Sequence, residues 1–511
     1  MNPPAARTDA ALRHARDLER QGRLDDALAA YAEAFDASGK DAALAGDIGR
    51  LALRLGQYAI AEQLFLIHLT AEPASLDSRL HLAHALREQH RYDEAVAALT
   101  PAVEAHPEEP ALWSALGTVL VQQGRPGEAL AFLDEAVRLR PQGGGQLYAR
   151  ANAYSDLGDH PLALADYQAA LADLSEADKQ RVRVPMALSQ LALGDLPGGW
   201  DGYRARLSRD CAKPVVFLTP AAPWPFDPDK PPDALKGRSL LLLAEQGLGD
   251  EVMFANVVPD VLEALGPNGR LTLSVEPRLV PLFARSFPTI EVVGHRTWTA
   301  DGLTYRQADG PQDHELWAPL AAPLRQFRRA PSDFPDRPYL IPDPARVIHW
   351  RALLSQRPGR KVGILWKSLK LQGERLRQFA PFAQWAPVLT APGVSFVNLQ
   401  YGDCAQELAE AYEELGVKIW QPPGIDLKDD LDDVAALCCA LDLTLGFANA
   451  TINLAGACGA RSWLIAAPTA WPKLGTDRYP WYPQMQVISS AIGWETALEE
   501  AGAMLGGGNA A

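Results

Sequence analysis

The chain has 511 residues, enough for roughly two to four domains. Its 48% apolar and 22% charged content is that of an ordinary globular protein, and a net charge of −15 argues against nonspecific nucleic-acid binding, which needs a basic surface. No run approaches the about 18 apolar residues of a spanning helix, and the opening MNPPAARTDA has no apolar core, so neither a membrane span nor a signal peptide is expected. The five cysteines, Cys211, Cys404, Cys438, Cys439 and Cys458, lack metal-ligand spacing, and the adjacent Cys438 and Cys439 cannot bridge easily, which fits a reducing cytoplasm.

The first third carries a strict 34-residue repeat. Gly22, Gly56, His90, Gly124 and Gly158 hold one position of it; Ala27, Ala61, Ala95, Ala129 and Ala163 follow five residues on. Tyr31, Phe65, Leu99, Leu133 and Tyr167 come four residues later. A glycine suits the turn between two short helices, an alanine suits their close approach, and the large residue fills the space beside it. In the fourth unit Trp113, Leu116, Gly117, Gly124, Ala129, Ala136 and Pro141 fall on the signature positions of the tetratricopeptide repeat, and Pro73 and Pro107 close earlier units as Pro141 does. The segment 8–177 therefore resembles tetratricopeptide repeats, with units starting near 8, 42, 76, 110 and 144. A degenerate sixth follows, with Gly194 in its turn and Trp200 and Tyr203 packing. Such a solenoid presents a curved surface that holds a protein or peptide.

First-helix residues would line that groove: Arg50, Arg54, His84, Arg87, Thr118, Gln122, Asn152 and Asp156. The repeats of eukaryotic nuclear O-GlcNAc transferases carry an asparagine ladder that grips peptide backbone. Arg50, His84, Thr118 and Asn152 at the equivalent positions do not repeat, which argues against that grip here. For each groove residue a solvated face is the competing reading.

Beyond the repeats the stretch with Pro214, Pro220, Pro223, Pro225, Pro228, Pro231 and Pro232 reads as an extended connector over 213–236. Short apolar runs then alternate with helical stretches, the pattern of a parallel α/β sheet. Strands are expected at Ser239–Ala244, Leu271–Val275 and Ile290–Val293, with a helix over Glu251–Leu265. After a break rich in proline and arginine at about 323–360, strands are expected at Val362–Trp366, Val394–Leu399, Lys418–Trp420, Leu443–Phe447 and Ser462–Ala466. The division is thus repeats over 1–212, connector over 213–236, a first α/β lobe over 237–345, a second over 346–495 and a tail over 496–511, whose GGGNAA end reads as disordered. Two successive lobes suggest a cleft between the carboxyl ends of two sheets.

The first strand runs into Glu245, Gln246, Gly247, Gly249 and Asp250. The glycines allow a tight turn and close approach of a ligand, and Asp250 sits where a helix dipole welcomes a carboxylate. A plain helix cap is the bland alternative. The G-x-G-D spacing is not the dinucleotide fingerprint, and the lysine of a P-loop is missing. The segments AEQGLGDEVMFA, VGILWKS, VSFVNLQYGD, DLDDVAALCCALDL, ANATINLAGACG and PWYP cover most of 237–490. In that order they resemble bacterial glycosyltransferases related to lipopolysaccharide heptosyltransferases, in the form fused to tetratricopeptide repeats. The resemblance implies an all-α tetratricopeptide solenoid followed by an α/β GT-B domain of two Rossmann-like lobes. It implies metal-independent chemistry without a cofactor, and a nucleotide sugar held mainly on the second lobe. Asp250 falls on the aspartate thought to act as base in heptosyltransferases, with Glu245 as the next candidate in the turn.

On the second lobe, Lys367 follows a strand and suits a donor phosphate, or is a solvated lysine at a strand end. Gln400, Tyr401, Gly402 and Asp403 follow the next strand, where a nucleoside could pack. Phe447, Ala448, Asn449, Ala450 and Thr451 open a helix that continues through small residues to Ala455, Gly456 and Ala457. Its free N–H groups suit phosphate, or its small residues serve close packing alone. The acidic run Asp426–Asp433 reads as a helix cap, while Trp471, Lys473, Trp481 and Tyr482 either close the cleft or form an aromatic core. Many relatives carry an aspartate and a histidine in the turn at 448–453, where this chain has Ala448 and Asn453. That departure implies an altered donor or weak catalysis.

The resemblance thus implies an inverting protein O-glycosyltransferase, cytoplasmic, moving a sugar from a nucleotide donor to Ser or Thr of a protein held by the repeats. Flagellin is the acceptor suggested by relatives of this type. The rival readings are a non-catalytic tetratricopeptide adaptor with a degenerate sugar-nucleotide fold, and a transferase acting on glycan or lipid-linked acceptors.

Overall fold

A computed structural model describes residues 4–211, 214–225, 232–300, 303–368 and 378–507. From Pro4 to Tyr203 the described chain is helical, in pairs such as Ala42–Arg54 with Tyr58–Ala71 and Pro110–Gln123 with Pro126–Leu139. The turn inside each pair falls on the repeat's glycine position. Gly22, Gly56, Gly124, Gly158 and Gly194 adopt φ between +70° and +92°, and His90 takes +61° at the same place. A residue without Cβ meets that left-handed geometry without strain, so the period in the sequence is a period in backbone conformation. The alanines five residues on are all fully buried, and Phe65, Leu99, Leu133 and Tyr167 are buried beside them. The sixth pair, Glu176–Ala192 and Leu196–Tyr203, buries Trp200 and Tyr203 as the sequence implies.

The remainder forms two sheets flanked by helices. The first has β1 (Val215–Phe217), β2 (Ala222–Pro223), β3 (Ser239–Leu243), β4 (Arg270–Val275), β5 (Glu291–Ala300), β6 (Leu303–Ala308) and β7 (Leu316–Pro319). Their order is β1-β6-β5-β4-β3-β7-β2, parallel except for the antiparallel β5–β6 pair. The second sheet has β8 (Arg360–Leu365), β9 (Val394–Asn398), β10 (Leu443–Phe447), β11 (Ser462–Ile465) and β12 (Met485–Ile488), all parallel in the order β12-β11-β10-β8-β9. Strands β3 and β10 are buried along nearly their whole length, as parallel strands covered on both faces must be.

The structure differs from the sequence reading in several places. The helix expected over Glu251–Leu265 is two, Leu248–Phe254 and Val258–Leu265, parted by a tighter turn at Ala255–Val257 just before Pro259, which has no N–H to continue the first. The expected break at 323–360 contains the helix Pro344–Leu354. The proline-rich stretch supplies edge strands: β1 pairs with β6, and β2, which includes Pro223, pairs with β7. Edge position is where a sheet tolerates proline. Pro228 and Pro231 lie outside the described residues. The strand expected to end at Val293 runs on to Ala300 and folds back through β6. Lys418–Trp420 makes a single bridge, Trp420 to Val397, rather than a strand. The expected tail from 496 lies within a helix, Trp494–Gly506, which buries Ala497, Leu498, Ala501 and Leu505 against the second sheet's core; 508–511 lie outside the described residues.

The last helix pair is part of the α/β core. Trp200 packs edge-on against Trp471 and Trp481 of the second lobe, and its indole N–H donates to the Arg328 carbonyl at 2.7 Å. Arg206 forms a buried pair with Glu245, Nε to Oε2 at 2.7 Å. His160 Nε2 lies 2.9 Å from the Thr469 carbonyl, which only accepts, so this nitrogen carries the proton.

Candidate functional site

Both sheets are parallel around their centres, so the loops leaving β3, β4, β8, β9 and β10 gather at carboxyl ends, where open α/β sheets bind ligands. The β3 loop is the glycine-rich turn. Gln246 adopts φ +64°, and Gly247 precedes the helix Leu248–Phe254. Asp250 reaches back, its Oδ2 accepting from the Gly247 N–H at 3.1 Å, so the cap foreseen from the sequence exists. The Asp250 charge is also close enough to act on Tyr203 of the sixth repeat and Tyr479 of the second lobe, whose phenols are pushed up by burial and then by this carboxylate among other charges. Asp250 therefore sits where all three parts of the chain meet.

Directly beside it the lobes touch. A Cβ on Gly249 would lie 2.9 Å from Asn453 Nδ2 and 3.5 Å from the backbone of Ala450. The glycine-rich turn and the turn opening the helix Ala450–Ala457, distant in sequence, are one locus. Asn449 caps that helix, its side chain accepting from the Ile452 N–H at 3.1 Å. Asn449 Nδ2 and Asn453 Oδ1 are buried with no hydrogen-bond partner among the described residues. Buried polar atoms are seldom left unmatched, so these two invite a ligand or water. Thr451 is buried in the same turn.

The other residues expected at the donor site have partners. Lys367 pairs with Glu407, so its charge is already compensated. Gln400 is buried; its Oε1 accepts from the N–H groups of Trp366 at 3.0 Å and Lys367 at 2.9 Å, and its Nε2 donates to the Tyr401 carbonyl at 2.9 Å. It is a clasp between the ends of β8 and β9 and shapes the loops rather than offering itself. Gly456 is committed to packing, because a Cβ there would strike the Tyr482 ring at 2.5 Å. Trp481, Tyr482 and Lys473 are core, with Lys473 Nζ donating to the Pro468 carbonyl at 2.8 Å. Glu245 is taken by Arg206 and by the Ala321 N–H, which removes it as a spare proton acceptor. The acidic run is structural: Asp430 caps its helix, and Asp429, Asp430 and Asp432 pair with Arg278, Arg346 and Arg285.

In the repeats, Arg50 pairs with Asp47 and Asp77, Arg54 with Glu19 and Arg87 with Glu88. His84 lies near Glu88, and burial with nearby Arg87 pulls its imidazole down to about 4. Asn152 accepts from the Tyr167 hydroxyl at 2.7 Å, an internal bond of the fifth repeat. Gln122 and Thr118 are half-buried on the helix Pro110–Gln123.

A second feature was not read from the sequence. On the other flank of the glycine-rich turn lies a pocket of about 360 Å³. Gln246, Leu248 and Glu251 form one wall, Glu276, Pro277 and Arg278 a second, and the β5–β6 hairpin supplies His295, Thr297 and Arg306. Glu251 is the hub: Oε1 lies 3.1 Å from His295 Nε2 and 3.4 Å from Arg306 Nη1, and Oε2 accepts from the Glu276 N–H at 2.8 Å. Arg306 Nη1 also donates to the Ala244 carbonyl at 2.7 Å, and burial pulls its guanidinium down from its ordinary value. The only signal available was the alternation of His295 and Thr297 on one strand face, which means nothing until the register places Arg306 opposite Thr297.

Among the described residues no helix is long and apolar enough to cross a membrane. The tetratricopeptide-repeat family model matches residues 12–75 and 80–144. Over 488 residues the chain is 46% identical to Protein FlbA of Caulobacter vibrioides, covering 94% of this chain and 81% of that protein. Among solved structures, a thermophilic tetratricopeptide-repeat protein of Thermus thermophilus is 24% identical, covering 36% of this chain and 99% of that one, with a TM-score of 0.31. A tetratricopeptide-repeat protein of Parabacteroides merdae is 16% identical, covering 39% of this chain and 76% of that one, with a TM-score of 0.35.

Proposed function

This chain belongs to the family of the FlbA protein, and from that premise we propose that it is an inverting protein O-glycosyltransferase of GT-B type. The repeats hold a protein acceptor, for which flagellin is the first candidate, and the two lobes hold a nucleotide sugar. The observation that carries this reading is the meeting of Gly249 with Ala450 and Asn453, beside Asp250. It joins a carboxylate to a helix N-terminus whose cap has an unmatched amide donor, Asn449 Nδ2. A departing phosphate placed at the helix start would be stabilised by free N–H groups and the dipole. Asp250 would take the proton of a Ser or Thr hydroxyl as its oxygen attacks the sugar C1 from the face opposite the leaving phosphate. The new C1–O bond forms as the old one breaks, so the configuration inverts. No residue of this scheme requires a metal or cofactor.

The adaptor reading has one observation in its favour: the Lys367 charge is spent on Glu407, so the lobe offers a phosphate less free charge than the sequence suggests. Thermal-shift titration with nucleoside mono- and diphosphates and with their sugars separates the two, since a true donor stabilises the fold by mass action. A rise in Tm with one nucleotide sugar supports the transferase, and no shift with any of them supports the adaptor.

A further inference from the structure

The pocket beside the glycine-rich turn has no part in the scheme above, yet it adjoins it: Leu248 lines the pocket and the next residue, Gly249, makes the contact between lobes. At about 360 Å³ it is at the small end of ligand sites, which run from roughly 300 to 1,000 Å³. Its chemistry discriminates among occupants. The carboxylates of Glu251 and Glu276 balance the guanidinium groups of Arg278 and Arg306, so the charge surplus that draws a phosphate is absent. Arg278 is further held by Glu276, Asp429 and the Lys428 carbonyl. The described lining contains no Phe, Tyr or Trp to stack on a nucleobase. Donors and acceptors instead share the lining, and Leu248 and Pro277 add apolar surface on two of its walls. A sugar ring asks for this mixture: hydroxyls that both give and accept hydrogen bonds, and a C–H face that packs on apolar groups.

We propose that this pocket seats the sugar ring of the donor, with Thr297, Gln246 and the Glu251–Arg306 pair reading its hydroxyls and so setting which sugar is used. The assignment rests on the transferase reading. Leu248 and Gly249 are neighbours in the chain, so in this proposal the ring takes the first-lobe side of the turn while phosphate and base take the side of the Gly249–Ala450 contact. Glu251 and Arg306 are buried and locked to the Ala244 carbonyl and the Glu276 N–H, so the ring meets a wall already in place. Preorganised polar walls of this kind reject a sugar with one misplaced hydroxyl strongly, because a buried group is then left unpaired.

Saturation-transfer NMR on the full chain tests this, using free monosaccharides at millimolar concentration: neutral hexoses, N-acetylated hexosamines and carboxylated sugars, each alone. Thr297 is exposed, so Thr297→Trp fills the pocket mouth from a position that tolerates size; circular dichroism and Tm check the fold. The expected result is a signal from one class of sugar in the native chain. Its loss in Thr297→Trp should leave nucleotide binding unchanged, and Thr297→Val should weaken it about tenfold through a lost hydrogen bond. Absence of signal from every sugar overturns the assignment, as does native-strength binding in Thr297→Trp. Equal loss of sugar and nucleotide also overturns it, since the pocket would then not be separate from the phosphate side. A sugar that binds here and is lost in Thr297→Trp, in a chain that binds no nucleotide, leaves the pocket standing and sinks the transferase instead.

Discussion

In the proposed scheme Asp250 has two jobs in one carboxylate, cap and base. One oxygen caps the Gly247 N–H, and the charge lies within electrostatic reach of Tyr203 and Tyr479. Asp250→Asn keeps an oxygen for the cap while removing the proposed base, so Tm should hold and transfer should fall by at least ~100-fold, the usual scale for general-base loss. Near-native turnover in that variant would take Asp250 out of the role, and Glu245 could not replace it, because Arg206 holds it. The Lys367–Glu407 pair gives a second residue-scale test. If Lys367 serves a donor phosphate, Glu407→Gln should free it and tighten binding of the nucleotide sugar, whereas Lys367→Ala should weaken it by the about 1.5–3 kcal/mol of a charge-assisted bond. Calorimetry showing equal effects on the nucleotide sugar and the free nucleoside would mean that the pair only braces the lobe.

The helix beginning at His160 and the loop around Thr469 are held together by a neutral imidazole. Burial lowers the His160 pKa from 6.5, an effect only partly opposed by its bond to the Thr469 carbonyl. The unfolded chain therefore binds a proton that the folded chain refuses, and stability rises with pH wherever that difference exists. The contribution is fully present above about 6.5 and is lost as pH falls below it, towards the lower folded value. His160→Gln should remain folded at neutral pH and lose less Tm than the native chain between pH 7.5 and 5.5; identical losses would show that this contact is not pH-sensitive. At this scale the sequence was partly legible. The repeat pairs were readable because one conformation, the positive-φ turn, returns at a fixed spacing with a small residue at all but one of its occurrences. Strands such as β3 and β10 were readable because burial on both faces demands unbroken apolar runs. Strands β1 and β2 were not, since short edge strands need no such run and accept proline. The helix Trp494–Gly506 was also legible in principle: Ala497, Leu498, Ala501 and Leu505 recur at helical spacing, but the glycines that follow drew the reading towards a tail. At the site, Asp250 and Asn449 were legible from turn chemistry, whereas His295 and Arg306 depend on a strand register that no local pattern announces.

At the scale of the whole molecule the repeats and the lobes are continuous. Trp200, Leu196 and Leu191 share one core with Leu242, Phe254 and Trp481. The Arg206–Glu245 pair and the bond from Trp200 to the Arg328 carbonyl cross the same seam. A break at 212 would strip this core and leave Glu245 buried without its partner, a loss of about 3–5 kcal/mol on its own. Residues 213–511 alone should therefore aggregate or fail to bind nucleotide. Removing residues 1–109 should instead spare the lobes, because a repeat contacts chiefly its neighbours. That shortened chain should keep its Tm response to the donor yet modify full-length acceptor slowly, since part of the platform that raises effective concentration is gone. A soluble, donor-binding 213–511 fragment that works at the native rate would show that the repeats are dispensable.

The most direct test is intact-mass analysis of flagellin incubated with the purified full-length chain and each candidate nucleotide sugar, with and without Asp250→Asn. The expected result is a mass increment of one sugar per modified Ser or Thr, with one donor, release of the nucleotide, and no increment with the Asp250→Asn chain. No increment with any donor, while a related enzyme modifies the same flagellin in the same buffer, would contradict it.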